Sequence, residues 1–130
     1  MTDHPALPSL LEAVERYFEL MYDGNVARFD SVFAPSARLH GLREGSLRVL
    51  TTEDYRSILA STPSPQSRSA PRLQELLLVD FASPTQAIVK VRVRIDTLQY
   101  LDHLAWHVID GDWRITAKSF HVERRYAAGA

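Results

Sequence analysis

The sequence predicts an α+β fold in which N-terminal helices pack on a curved antiparallel sheet. Apolar residues recur at helical spacing in the first sixty positions, and they alternate with polar ones through most of the last sixty. The two patterns are segregated along the chain rather than interleaved, which separates α+β from α/β.

Apolar residues make up 45% and charged residues 24% of the 130 positions, an ordinary globular balance, and the length suits one domain spanning 1–130. The formal net charge of −1 gives no electrostatic reason to expect a nucleic-acid partner. There is no cysteine, which removes disulfides, thiol nucleophiles and thiolate metal sites together. The N-terminus has neither a basic region nor an unbroken apolar one, and no stretch approaches the roughly 18 apolar residues of a membrane span. The expectation is a cytoplasmic protein with no membrane partner.

The first helix is expected after Pro8, with Ser9 as N-cap and Leu10, Val14, Tyr17, Phe18 and Met21 on its inner face. Asp23-Gly24 stops it. Asn25 caps a short second helix that turns Val26, Phe29, Val32 and Phe33 inward and ends before Pro35. Extended segments follow at 36–42 and 47–50. Thr52, with Glu53 and Asp54 behind it, opens a third helix whose Tyr55, Ile58 and Leu59 face the core. Residues 61–72, rich in Pro and Ser, read as a flexible connection. Strands are expected at 73–81, 86–96, 98–109 and 113–124.

The last hairpin can be aligned residue by residue. Asp110-Gly111 is a two-residue type I′ turn signal. Pairing Ile109 with Asp112 sets Trp106 opposite Ile115, Leu104 opposite Ala117, Asp102 opposite Ser119 and Tyr100 opposite His121. That face is apolar near the turn and polar at its far end. The other face of the sheet carries Lys90, Arg92, Arg94, His103, His107, Arg114 and Lys118, and reads as a solvated or dimer-forming surface.

Polar residues intruding on the inner face are the candidates for chemistry. A carboxylate such as Asp102 is costly to bury unless paired or protonated. Diagonal neighbours across a strand pair lie within reach of each other's side chains, so His121 can meet Asp102, and Tyr17 on the first helix can add its hydroxyl. A structural reading stands beside this one, with Asp102 bridged to Lys118 or an arginine and Tyr17 an ordinary core tyrosine. His103 and His107 lie on a strand, about 13 Å apart at 3.3 Å per residue, and cannot share one ion. No carboxylate cluster or thiol completes a metal site, so neither metal nor cofactor is expected.

Two stretches, LLEAVERYFELMYDGNVARFDSVFAPSARLHG and YLDHLAWHVIDGDWRITAKSFH, resemble the NTF2-like superfamily, and more narrowly its SnoaL-like and lumazine-binding branch. The resemblance implies a cone-shaped scaffold around a small-molecule pocket, and a scaffold that hosts enzymes, binders and adaptors alike. Ketosteroid isomerases of this superfamily hold an enolate oxygen with a tyrosine of the first helix and an acid in an "I-D-H-F" strand. By similarity these are Tyr17 in "E-R-Y-F" and Asp102 in "L-D-H-L". The aspartate base of those enzymes is Gly41 here, and His121 is the replacement the predicted register offers. Tyr17, Asp102 and His121 are therefore the candidate catalytic set. Phe18, Met21, Phe33, Leu39 and Tyr55 are the expected ligand contacts from the first half of the chain. Leu59, Tyr100, Leu104, Trp106 and Ser119 complete them. The function implied is an isomerase, dehydratase or cyclase using acid–base catalysis on an apolar carbonyl compound, in a homodimer formed through the outer sheet face. A non-catalytic small-ligand binder or a dimerisation domain is the alternative.

Overall fold

A computed structural model describes residues 4–129. Helix α1 runs Leu7–Asp23, followed by a 3-10 turn at Val26–Ser31, strands β1 (Phe33–Arg43) and β2 (Ser46–Thr51), and helix α2 (Thr52–Ser61). A second 3-10 turn, Gln66–Arg68, precedes β3 (Gln74–Ser83), β4 (Gln86–Ile95), β5 (Leu98–Ile109) and β6 (Asp112–Arg125). The strands form one six-stranded sheet in the order β2-β1-β6-β5-β4-β3. All neighbouring pairs are antiparallel except β1 and β6, which run parallel. The helices and the sheet's inner face give the expected α+β architecture.

Local chemistry accounts for most boundaries. Helix α1 starts two residues before the expected Ser9, because Pro8 in its first turn has no N–H to satisfy. Ser9 instead donates to the Ala6 carbonyl and accepts from the Trp113 indole. Gly24 closes the helix in the left-handed conformation, its N–H bonded to the Leu20 carbonyl. Asn25 caps the 3-10 turn as anticipated, but Val32 and Phe33 lie beyond it, and Phe33 already begins β1. Thr51 rather than Thr52 caps α2, in a reciprocal capping box with Asp54. The 61–72 segment is not a featureless connection. It contains the second 3-10 turn and buries Pro65 and Ala70.

Leu10, Val14, Tyr17 and Met21 of α1 meet Val89, Val91 and Val93 of β4 with Leu104, Trp106 and Ile115 in one buried cluster. Helix α1 covers the centre of the sheet, whereas α2 lies over β1 and β2 at its edge and buries no residue completely. Ile58 of α2, expected in the core, is exposed.

The β5–β6 hairpin departs from the predicted register halfway along. Its turn forms as expected, with Asp110 and Gly111 both at positive φ, Ile109 opposite Asp112 and Trp106 opposite Ile115. The next pair is Ala105 with Ala117, so Thr116 is one residue too many. The Thr116 hydroxyl lies 2.6 Å from His107 Nδ1, on the outer face. A bulge of this kind leaves two successive side chains on the same side and inverts the alternation beyond it. Ala117 is consequently exposed, not buried, and Lys118 points inward. Leu104 faces Lys118, Asp102 faces Phe120, and Tyr100 faces Val122. The predicted partners Ala117, Ser119 and His121 all belong to the outer side.

Candidate functional site

Asp102 projects from the middle of β5 into the core and is 0% exposed. Its Oδ2 accepts a 2.6 Å hydrogen bond from the Tyr17 hydroxyl of α1. The same oxygen lies 3.8 Å from Lys118 Nζ, whose side chain is only 4% exposed. Oδ1 has no hydrogen-bond partner among the described residues. The bulge thus substitutes Lys118 for His121 as the neighbour of Asp102.

The ammonium of Lys118 lies 4.9 Å from the Tyr55 ring centroid and 5.2 Å from that of Tyr17. Its other polar contacts are the Tyr55 hydroxyl at 3.4 Å and Met21 Sδ at 3.9 Å. An ammonium has three donors, and none of these contacts has the 2.7–2.9 Å length of a good charge-assisted hydrogen bond. A buried cation is thus held by charge and ring faces, with hydrogen-bonding capacity left over.

Burial is the largest influence on the Asp102 carboxyl and pushes it above its ordinary value, against the Lys118 charge and the Tyr17 hydrogen bond, which lower it. For Lys118 burial acts downward, but the Asp102 charge together with Tyr55 outweighs it and holds the ammonium above the usual lysine value. Burial, and then the Asp102 charge, pushes the Tyr17 hydroxyl well up, so it remains a donor.

Lys118 forms part of the wall of a cavity of about 390 Å³ between α2, β1, β2, β6 and the β4–β5 turn. Met21, Leu39, Tyr55, Leu59 and Tyr100, all expected as ligand contacts, border it. Phe18, Phe33, Leu104 and Trp106 do not; they fill the solid core behind it. Ser119 and His121 face the other side of β6 and border a separate shallow hollow with His40 and Leu42. Sequence reasoning offered Lys118 as a bridging partner of Asp102 but placed it on the outer face, and it missed Phe120, Leu50 and the rim arginines Arg43, Arg48 and Arg68. The rim pair could have been found from the β1–β2 hairpin, whose Glu44-Gly45 turn fixes which residues share a face.

Gly41 explains why no base stands where ketosteroid isomerases carry one. A Cβ at this position would overlap the Phe120 ring, three of whose carbons would lie 2.2–2.6 Å from it. The ring forms the cavity wall, and a side chain at 41 would have to displace it.

The family model described as "Putative lumazine-binding" matches residues 7–121. The chain belongs to this lumazine-binding family, within the NTF2-like superfamily. Among curated proteins it is similar to the aldolase FrzH of Cladobotryum sp., with 29% identity over 107 residues, covering 81% of this chain and 82% of that one. Among solved structures it is similar to an NTF2-like protein of unknown function from Silicibacter pomeroyi, at a TM-score of 0.78 and 20% identity, covering 95% of this chain and 100% of the other. A ketosteroid isomerase-like protein from Erwinia carotovora has a TM-score of 0.71 at 11% identity, over 93% of this chain and 98% of its own. At such identities the structural likeness defines the lumazine-binding family's fold and leaves its chemistry to the residues. Among the described residues no helix is long and apolar enough to cross a membrane.

Proposed function

We propose that the cavity binds a small carbonyl compound and that Lys118, backed by Asp102 and Tyr17, stabilises negative charge developing on its oxygen. The observation that carries this reading is the buried Lys118 ammonium bordering the cavity with every hydrogen-bonding contact at 3.4 Å or longer. A carbonyl oxygen entering the cavity would supply the acceptor that the ammonium lacks. Charge building there in an enolate would be stabilised more than the neutral ground state, which is what accelerates a reaction. Asp102 keeps the ammonium charged, and Tyr17 fixes the carboxylate. The reaction class is a cofactor-independent isomerisation, dehydration or cyclisation. The similarity to the aldolase FrzH adds carbon–carbon bond formation or cleavage to that class.

A second reading, a non-catalytic binder, is favoured by Gly41, since Phe120 excludes a carboxylate base there. The exposed Leu78 and Ile88, with Ile88 opposite Ala105 and Ala105 opposite Ala117, support a homodimer through the outer sheet face.

An enolate mimic tests the central claim. Titration with 4-nitrophenol, whose absorbance reports its ionisation, should show that wild type binds the phenolate and lowers the phenol's apparent pKa. Lys118→Met should abolish that preference. Equal binding of phenol and phenolate by wild type would sink the oxyanion role. Turnover is then separated from mere binding by following solvent-deuterium exchange into a bound ketone by NMR.

A further inference from the structure

We infer that the ligand carries a carboxylate at the end remote from its carbonyl, held by Arg43 and Arg48 of the β1–β2 hairpin. This rests on the proposed carbonyl contact with Lys118 and specifies the substrate as an oxo acid with an apolar spacer.

Both arginines border the same cavity as Lys118. Arg28, Arg56, Arg68, Arg92 and Arg114 each lie within 4.0 Å of a carboxylate. Arg43 and Arg48 have no such partner among the described residues. Asp96 is the acidic residue at the rim, and it is taken by Arg68 at 3.0 Å. The rim therefore presents two guanidinium groups without counter-charge in a chain whose net charge is −1. This is a local positive field rather than a property of the whole surface.

Strand register gives the spacing. Lys118 is level with Leu39, and Arg48 is level with Gly41. Positions 39, 41 and 43 share one face of β1, the face that Leu50 and Arg48 share on β2. At about 3.3 Å per residue, Arg48 stands roughly 7 Å along the strand from Lys118 and Arg43 roughly 13 Å. Leu39, Leu50, Leu59 and Phe120 border the space between. A cationic inner end, an apolar middle and a cationic rim fit a molecule with an acceptor oxygen at one end and a carboxylate at the other. The guanidinium fork suits the paired oxygens of a carboxylate.

The test uses levulinate and its homologues lengthened by two and four methylenes, each beside its methyl ester, titrated by calorimetry into the whole chain. Wild type should bind the longer acids about tenfold or more tightly than their esters, the scale of a charge-assisted hydrogen bond, and the difference should shrink at high salt. In the Arg43→Gln/Arg48→Gln double variant acid and ester should bind alike. Lys118→Met should weaken acid and ester together. An acid–ester preference that persists in the double variant would overturn the rim assignment. Equal binding of acid and ester by wild type, with both still dependent on Lys118, would overturn it while leaving the carbonyl reading intact. Failure of every member to bind would overturn both.

Discussion

Replacing Lys118 by methionine removes the cation beside Asp102 and leaves a side chain that still fills the space. At 3.8 Å and an effective dielectric constant of about 20, the lost attraction is about 4 kcal/mol. That loss falls on the ionised form of Asp102 alone, so its size depends on pH. Burial already holds the carboxyl above its ordinary value, and losing the ammonium raises it further. A raised carboxyl contributes stability that is complete below the ordinary aspartate range and is lost as pH rises through the folded-state value. The slope is about 1.4 kcal/mol per pH unit for one proton. In the variant this loss continues to higher pH than in wild type. Urea denaturation of both proteins between pH 4 and pH 8 should therefore diverge. Toward pH 4 the two proteins should converge and the variant should no longer lag wild type, because protonating Asp102 removes the charge that Lys118 pairs and methionine needs no hydration. Its deficit should then grow with pH toward about 4 kcal/mol. A deficit that is constant across the range would refute the claim that Lys118 acts through its charge on Asp102.

Three further outcomes follow from the same geometry. Tyr17→Phe removes the 2.6 Å bond to Asp102 and should cost about 1.5–3 kcal/mol at pH 8, with a smaller loss at pH 4, by thermal or urea melting. Gly41→Ala should cost about 1–3 kcal/mol by forcing the Phe120 ring aside, and adding Phe120→Ala should recover part of it; strict additivity of the two losses would argue against the contact. A two-fold dimer through the outer face should appear in light scattering at micromolar concentration and be weakened by Ile88→Glu, whose wild-type side chain is 43% exposed.

The sequence made the sheet legible wherever alternation ran uninterrupted. Val89, Val91 and Val93 are buried as their spacing requires, and the Asp110-Gly111 turn sets Trp106 opposite Ile115. Reading failed at Thr116, since a threonine between isoleucine and alanine carries none of the glycine or proline signals that usually mark a bulge. Beyond it Ala117, Lys118, Ser119 and His121 were assigned to the wrong side, which drew His121 into the site and put Lys118 outside. Binary patterning argues against an inward lysine, and only three-dimensional pairing with Asp102 makes one tolerable. Tyr17 and Asp102 stood out as a hydroxyl and a carboxylate on inward-facing positions, the family resemblance pointed to the same two, and the hydrogen bond between them agrees with both. The cavity's exact lining was less accessible: Phe18, Phe33, Leu104 and Trp106 have the right hydrophobicity and face the right way, but whether an inward residue borders space or packs solidly depends on its depth along the cone.

The bulge at Thr116 works as a parity switch for the far half of β6. With it, Lys118 and Phe120 enter the interior; without it, Ala117 and Ser119 would take their places and the strand could still pair with β5. Straightening the strand at unchanged length would thus exchange a charged floor for a small neutral one, whereas deleting Thr116 itself would restore regular alternation and keep Lys118 inside; either change leaves the central hydrophobic cluster of Trp106 and Ile115 untouched. A strand with that property can gain or lose its buried cation by a shift of register alone, with no change in the residues it contains. Position along β6 therefore tells which way a side chain points only once the bulge at Thr116 is counted.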